Sequence, residues 1–275
     1  MKIALPFATL TLTAAALAAL TPTVTPAWAM TQDEALQASL LPGWQMEGGH
    51  HMAGLSLVLT PGWKTYWRSP GEAGIPPLFD WSGSQNVKAV YVHWPSPVVF
   101  HTNGLQTVGY KGDVVLPLEV VPVVPGQPIV LKAQVDMGIC KDICMPAHVS
   151  VSADLPNPGT DYPAVRAALK ARPASAAQAG VGRVACEVEP IADGLRLTAT
   201  VDIPDQGRDE AVVFEPADRS IWVAQSVTSR SGSRLTSVTE LVGPSGVPFA
   251  LDRSGLRLTV LGGARAVEIA GCPAP

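Results

Sequence analysis

The sequence has no long run of charge of one sign. Its 19 basic and 23 acidic residues are dispersed, and no cluster of Lys and Arg resembles the basic patch of a nucleic-acid-binding protein. After residue 29 the chain also has no uninterrupted apolar run of about 18 residues, the length that a membrane-spanning helix needs. We therefore expect a soluble mature protein that does not bind nucleic acid.

The one long apolar stretch lies at the N-terminus. Lys2 gives a positive start, residues 3–20 are rich in Ala, Leu and Thr, and Ala27-Trp28-Ala29 matches the small-x-small pattern of a cleavage site. Pro6 interrupts the apolar run, which disfavours a membrane anchor. We predict a signal peptide over residues 1–29 and export to the periplasm.

Cysteine is scarce, with four residues in 275. A chain of this length can build its cores without disulfides, so the cysteines are not the framework of a tiny secreted fold. They form two pairs of different spacing, Cys140 with Cys144 and Cys186 with Cys272. In an oxidising compartment structural disulfides persist, whereas a pair that must be reduced depends on a supply of electrons.

Short segments of alternating apolar residues, separated by Gly, Pro and Asp, predict an all-β chain. We expect two antiparallel β-sandwich domains, over residues 31–157 and 181–275. Residues 158–180 are predicted to hold one short helix, with Pro163 in its first turn, and a linker rich in Ala, Ser and Gly.

Two local patterns refine the first domain. The sequence Tyr110-Lys111-Gly112-Asp113 predicts a hairpin turn before the strand-like residues 114–120. Pro117 interrupts that strand and has no backbone N–H, so it predicts an edge position or a bulge.

Cys140 and Cys144 lie between two strand-like segments. Four positions of straight strand span about 13 Å, so a disulfide between them requires a tight turn. A ring this short gains little stability from loop closure, and a purely structural role is therefore the weaker interpretation. We predict a redox-active pair, with an inert disulfide as one alternative.

Metal binding is another alternative for the same cysteines. Thiolate and thioether ligands suit Cu(I), and the alternative set is Cys140, Cys144, Met145 and His148, in a copper-binding or copper-tolerance protein. Zinc would need four ligands, and only His148 lies near the pair. His50-His51-Met52 could form a second copper cluster, but we interpret these histidines as a solvated loop. A structural adaptor, in which neither cysteine of the pair matters, is a third interpretation.

Cys186 and Cys272 enclose almost the whole second domain, one in its first strand and one just after its last. A bond across so long a loop stabilises a fold by roughly 4 kcal/mol in the chain-entropy model. We predict a structural disulfide, with two free thiols as the alternative.

Four motifs occur in order within residues 50–155: Gly62-Trp63-Lys64-Thr65-Tyr66-Trp67-Arg68, Phe79-Asp80-Trp81-Ser82-Gly83-Ser84, Gly109-Tyr110-Lys111-Gly112-Asp113-Val114-Val115-Leu116-Pro117-Leu118, and Cys140-x-x-x-Cys144-x-Pro146-Ala147. Together they resemble the periplasmic N-terminal region of DsbD-type and ScsB-type thiol:disulfide interchange proteins. The second domain is similar, less distinctively, to the companion domain of the ScsB-like branch.

This resemblance implies an immunoglobulin-like fold and a redox-active disulfide that needs no other cofactor. It implies that Cys140 and Cys144 are the redox pair and that Cys144 is the attacking thiol. It also implies that the loop around Phe100 caps the pair and that Tyr66 lines the site.

The resemblance implies partners as well. Relatives often continue into a membrane-spanning electron conduit and a terminal thioredoxin-like domain, neither of which occurs in these 275 residues. We therefore expect a separate membrane thiol carrier, CcdA-like or DsbD-like, as the electron donor. The expected acceptors are periplasmic thioredoxin-like or disulfide-isomerase-like proteins.

Overall fold

A computed structural model describes residues 31–102, 104–263 and 265–275. The predicted signal peptide, residues 1–29, lies outside these residues. The described chain is nearly all β, as predicted, with two α-helices, α1 (Gln32–Ala35) and α2 (Pro163–Lys170), and two 3₁₀ turns, Glu47–Gly49 and Pro244–Gly246. Within the described ranges no helix is long and apolar enough to cross a membrane.

Ten strands build the first sandwich: β1 (Leu36–Gln45), β2 (His51–Leu59), β3 (Lys64–Tyr66), β4 (Leu78–Asp80), β5 (Val87–Val92), β6 (Val98–Thr102), β7 (Leu105–Lys111), β8 (Val114–Pro122), β9 (Ile129–Cys140) and β10 (Cys144–Leu155). One sheet has the order β1-β2-β8-β5. The other has the order β10-β9-β3-β7-β6, with β4 also paired to β9. All of these pairings are antiparallel.

Alternation along the strands places the core between the two sheets. Leu55 and Leu57 of β2 are buried against the same apolar cluster as Leu131 and Val135 of β9. Because side chains alternate between the two faces of a strand, one face of each sheet is buried in this way. Trp67, which follows β3, is completely buried in the cluster.

The predicted hairpin at residues 110–113 is wrong. β7 and β8 lie in different sheets, so this turn carries the chain from one sheet to the other. Gly112, with φ +73°, takes the left-handed conformation that the tight connection requires. The side chain of Asp113 accepts a hydrogen bond from the backbone N–H of Leu59, 2.9 Å away, and ties the turn to β2.

The predicted edge position of Pro117 is also wrong, because β8 pairs with β2 on one side and β5 on the other. The N–H and C=O of one residue point to the same side of a strand. The carbonyl of Pro117 accepts a hydrogen bond from His93, just beyond the end of β5. The absent N–H of Pro117 therefore faces the end of β5, where it interrupts no further pairing.

Nine strands follow: β11 (Ala174–Ser175), β12 (Val184–Ile191), β13 (Gly194–Asp202), β14 (Ala211–Glu215), β15 (Trp222–Val223), β16 (Val227–Ser231), β17 (Arg234–Val242), β18 (Arg257–Gly262) and β19 (Arg265–Ala270). They form one sheet of order β11-β19-β18-β14 and another of order β12-β13-β17-β15, with β16 also on β17. Both sheets contribute to a second buried apolar cluster. We call these two sheets together the second sandwich.

The connection between the sandwiches contains a short helix and also a short strand. The helix α2 begins at Pro163, as predicted, and Asp161 before it forms an ion pair with Arg166. The strand β11 falls within the predicted linker and pairs in parallel with β19, so the end of this segment belongs to the second sandwich.

Candidate functional site

The two closely spaced cysteines face each other across the end of the β9–β10 hairpin. Cys140 is the last residue of β9, Cys144 is the first of β10, and the two are register partners. The three residues between them form a tight turn in which Lys141 N–H donates to the carbonyl of Ile143. A disulfide joins the cysteines, with an S–S distance of 2.02 Å and a Cα–Cα distance of 4.1 Å. The hairpin thus supplies the tight turn that a bond at this spacing requires.

The two sulfurs of this bond lie in different surroundings. Cys140 is 1% exposed and belongs to a small buried cluster with Tyr66 and Phe100. Cys144 is exposed, and its neighbour Ile143 at the tip of the turn is 78% exposed. An external thiol can therefore approach the disulfide from the Cys144 side, whereas the Cys140 side is covered.

Tyr66 provides one wall of the cover. It is the last residue of β3, which pairs with the end of β9 so that Lys64 opposes Cys140. The hydroxyl of Tyr66 lies 2.8 Å from Cys140 Sγ and 3.4 Å from Cys144 Sγ. The ring occupies the space above Gly138, where a Cβ would lie only 2.9 Å from two ring carbons. A glycine at this position therefore lets the tyrosine reach both sulfurs.

Phe100 of β6 provides the second wall. It is 5% exposed, and its ring centroid lies 6.4 Å from that of Tyr66. The ammonium groups of Lys64 and Lys111 lie 4.7 and 5.8 Å from the centroid of the Phe100 ring, within cation–π range. Burial, together with repulsion from Lys111, lowers the pKa of Lys64. Tyr66 and Phe100 thus both lie in the buried cluster with Cys140, and two cations lie over the outer wall.

Sequence reasoning missed Lys64 and Lys111. One signal could have indicated Lys64: it lies two positions before Tyr66, and residues two positions apart in a strand point to the same face. Lys111 is the register partner of Lys64 on β7, and that pairing could not be read from the sequence.

The family model for the N-terminal region of the thiol:disulfide interchange protein DsbD matches residues 32–156 of this chain. Over this region the chain is similar to the DsbD N-terminal domain family. The resemblance inferred from the four motifs is confirmed, and with it the immunoglobulin-like fold. The matched region contains the hairpin disulfide, Tyr66 and Phe100. At the level of the family, its chemistry is thiol:disulfide interchange.

Among solved structures, the N-terminal periplasmic domain of ScsB from Proteus mirabilis is similar to this chain, with a TM-score of 0.65 and 23% sequence identity. The similarity covers 90% of this chain and 97% of the ScsB domain, so it extends through the second sandwich. At this identity the likeness establishes the shared fold. No curated protein sequence matches the chain.

The residues of the copper alternative are spread along β10 of the DsbD-type domain. Met145 points to the opposite face of the strand from Cys144 and packs against the core. His148 lies four positions after Cys144, about 13 Å along the strand, and forms an ion pair with Asp136. Over the described residues, no group of three His, Cys, Asp or Glu side chains has the geometry of a metal site.

The interpretation of His50 and His51 as a solvated loop is wrong for His51. This residue begins β2, is 3% exposed and lies with its Nε2 2.7 Å from the carbonyl of Pro42. His50 lies beside Glu119, with 2.7 Å between Nδ1 and Oε1. His51 lines a cleft with Ile129 and Leu155, at the opposite end of the β9–β10 hairpin from the disulfide.

The distant cysteines are also joined. Cys186 of β12 and Cys272, just after β19, form a disulfide with an S–S distance of 1.97 Å and a Cα–Cα distance of 5.5 Å. They are 0% and 1% exposed and lie in the core of the second sandwich. Neither sulfur is accessible to an external thiol, in contrast with Cys144.

Proposed function

We propose that this chain is a periplasmic thiol:disulfide exchange protein, in which the Cys140–Cys144 pair receives electrons from a membrane thiol carrier and passes them to oxidised protein partners. The observation that carries this proposal is the asymmetry of the pair, with one exposed sulfur and one buried beneath aromatic rings. The similar ScsB domain is described as periplasmic, which supports the compartment. The predicted signal peptide supports it independently.

Reduction of the pair would begin at the accessible sulfur. A thiolate of the donor attacks Cys144 Sγ, the bond to Cys140 breaks, and Cys140 leaves as a thiolate that takes up a proton. A second donor thiolate then attacks the mixed disulfide and releases Cys144. The donor ends as a disulfide, and the pair has gained two electrons and two protons.

Passing the electrons on reverses these steps at the same atoms. The Cys144 thiolate attacks the disulfide of the acceptor and forms a mixed disulfide. Cys140 then attacks Cys144 Sγ, the original bond re-forms, and the acceptor leaves with two reduced thiols. In this scheme Cys144 is the attacking thiol and Cys140 the resolving thiol.

The proposed partners follow from the direction of flow in DsbD-type systems. A CcdA-like or DsbD-like membrane carrier would be the donor. Thioredoxin-like or disulfide-isomerase-like periplasmic proteins would be the acceptors. Both kinds of partner must present a sulfur to Cys144, which lies at the exposed end of the hairpin.

The reduction potential of the pair tests the proposal most directly. The mature protein is equilibrated with glutathione buffers, its thiols are trapped, and mass spectrometry locates them. We expect a reversible couple between about −180 and −270 mV, the range of protein disulfide isomerase and thioredoxin. The buried Cys186–Cys272 bond should stay oxidised and serves as the internal control. A potential below about −300 mV would mark a structural bond and overturn the proposal.

Trapping with single variants tests the roles of the two sulfurs. Cys140→Ser leaves the exposed Cys144 without its resolving partner, so mixed disulfides with a thioredoxin-like acceptor should accumulate on non-reducing gels. Cys144→Ser leaves only the buried Cys140 and should abolish exchange with the fold intact. Equal trapping by the two variants would contradict the assignment of Cys144.

A further inference from the structure

The second sandwich contacts the first next to the disulfide site. Both belong to one compact unit, residues 31–275. Leu261 and Ala266 of the second sandwich are buried in the apolar cluster of the first, and Val213 packs against it. The polar part of this contact centres on Arg68, two residues after Tyr66.

Arg68 is held by two carboxylates of the second sandwich. Its Nε and one terminal nitrogen each lie 2.9 Å from an oxygen of Glu215, and that terminal nitrogen lies 2.7 Å from Glu268. The side chain of Glu215 is 2% exposed and that of Arg68 12% exposed. Burial alone would lower the pKa of Arg68, but the hydrogen bonds and charges of the two glutamates raise it. A bidentate, buried pair of this kind fixes both position and orientation.

The fixed guanidinium is coupled to the site strand through Trp67. The Arg68 side chain lies over the Trp67 ring, 4.2 Å from its centroid. Trp67 is completely buried, and its backbone N–H donates to the carbonyl of Val108 on β7. The residues that directly follow β3 are therefore tied both to β7 and to the second sandwich, and Tyr66 is the last residue of β3.

A second polar contact reaches the wall that carries Phe100. The side-chain oxygen of Gln225 accepts a hydrogen bond from the backbone N–H of Gln106, and the N–H of Gln225 donates to Glu72. Gln106 lies on β7 opposite His101, beside the register pair of Thr107 and Phe100. The second sandwich is thus tied to β7, the strand that pairs with the Phe100 strand β6, as well as to the residues that follow β3.

We infer that Arg68 is a positioning residue for the disulfide: through its ion pairs with Glu215 and Glu268, the second sandwich fixes the end of β3 and holds the Tyr66 hydroxyl at Cys140 Sγ. This inference rests on the proposed function, because it gives the second sandwich a part in setting the redox equilibrium of the pair. The aligned hydroxyl favours the reduced state, in which it donates to a thiolate. A shift of β3 by about an ångström would lengthen that hydrogen bond beyond its useful range.

The test variant is Arg68→Met in the full mature chain. We expect the equilibrium with glutathione to shift about tenfold towards the disulfide, the effect of losing a hydrogen bond to a charged group. The pH profile of alkylation of the reduced pair should move to higher pH. Arg68→Lys keeps the charge but loses the two-pronged geometry, so it should give an intermediate value.

Arg230→Met is the matched control. Arg230 forms an equally bidentate pair with Glu210, at 2.5 and 2.6 Å, but within the second sandwich. We expect this variant to lose a comparable amount of thermal stability and to keep the wild-type redox equilibrium and pH profile. If Arg68→Met also keeps both, or if Arg230→Met shifts them equally, the inference is overturned.

Glu268→Gln covers the case in which Arg68→Met does not fold, because Glu268 is 35% exposed and Arg68 keeps Glu215. Hydrogen exchange in this variant should quicken at the amides of residues 64–68, in β3 and just after it, while the amides of β9 stay protected. Unchanged exchange there would contradict the inference. This measurement does not depend on redox activity. If the wild-type Cys140–Cys144 pair shows no reversible couple, the proposed function is refuted, while the hydrogen-exchange result still tests the positioning by Arg68.

Discussion

Tyr66 and Cys140 form the closest polar contact of the disulfide site, with the hydroxyl oxygen 2.8 Å from the sulfur. Burial raises the pKa of Tyr66, so the phenol keeps its proton throughout the neutral range. In the reduced protein this proton can be donated to a Cys140 thiolate. Hydrogen bonding to the charged form lowers the pKa of a thiol and stabilises the reduced state relative to the disulfide.

Replacement of Tyr66 by phenylalanine isolates this contact. We expect Tyr66→Phe to lower the reduction potential of the pair by roughly 30 mV, because a hydrogen bond to a charged group contributes about 1.5 kcal/mol. Glutathione equilibration measures the change. Tyr110→Phe is the matched control, since that buried hydroxyl donates to the carbonyl of Pro95 and touches no sulfur. Equal potentials for Tyr66→Phe and the wild type would exclude a role for the hydroxyl.

Phe100 is predicted to protect the buried sulfur from small thiols. Phe100→Ala should speed reduction of the Cys140–Cys144 bond by dithiothreitol, since rates of exchange depend on access to the sulfurs. It should also lower the free energy of unfolding by about 3 kcal/mol, the cost of truncating a buried phenylalanine. Stopped-flow reduction and urea unfolding measure the two effects.

The control for Phe100→Ala is Phe79→Ala. Phe79 stacks on Trp81 and pairs with Val135, far along β9 from the disulfide. The Phe79→Ala variant should have a lower free energy of unfolding than the wild type but the same rate of reduction of the Cys140–Cys144 bond. If Phe100→Ala is reduced no faster than Phe79→Ala, the Phe100 ring does not shield the disulfide.

Local patterns in the sequence predicted most of the strands and the position of Cys140 and Cys144 between two of them, because alternation and turn residues act over a few positions. Tyr66 and Phe100 were found only through the family resemblance, since each reaches the disulfide through pairing between distant strands. Pro117 shows the same limit: proline predicts an edge, but its missing N–H is harmless wherever the neighbouring strand has already ended.

The longest-range features could not be predicted at all. The ion pair of Arg68 and Glu215 joins residues 147 positions apart, and nothing near either residue indicates the other. The pair of lysines over Phe100 depends on the pairing of β3 with β7. Sheet order decides such contacts, and it is set by packing of the whole chain.

The Cys186–Cys272 bond is predicted to stabilise the second sandwich without a part in exchange. Replacing both cysteines by alanine should lower the free energy of unfolding by about 4 kcal/mol, because the bond closes a loop with a sequence separation of 86. Urea unfolding followed by circular dichroism measures the loss. In the absence of urea, the reduction potential of the Cys140–Cys144 pair should match that of the wild type. A changed potential in a native double variant would give this bond a redox role.

His51 makes stability depend on pH. Burial lowers the pKa of His51 below its ordinary value of about 6.5. Between the lowered value and about 6.5, the unfolded chain binds a proton that the folded chain does not, so stability rises with pH there. The contribution is complete above about pH 6.5 and is lost as the pH falls below it, with a slope of at most about 1.4 kcal/mol per pH unit for one proton.

Urea unfolding between about pH 5 and pH 8 measures this slope. His51→Gln keeps an amide nitrogen near the position of Nε2, where it can donate to the Pro42 carbonyl, but does not titrate. We expect this variant to lose the slope and to be as stable at pH 5 as at pH 7. Glu119 does not contribute to this slope. Hydrogen bonds from His50 and His93 lower the pKa of Glu119, so its contribution to stability is lost only when the pH falls below its ordinary pKa of about 4.5. If the slope persists in His51→Gln, another buried group carries it.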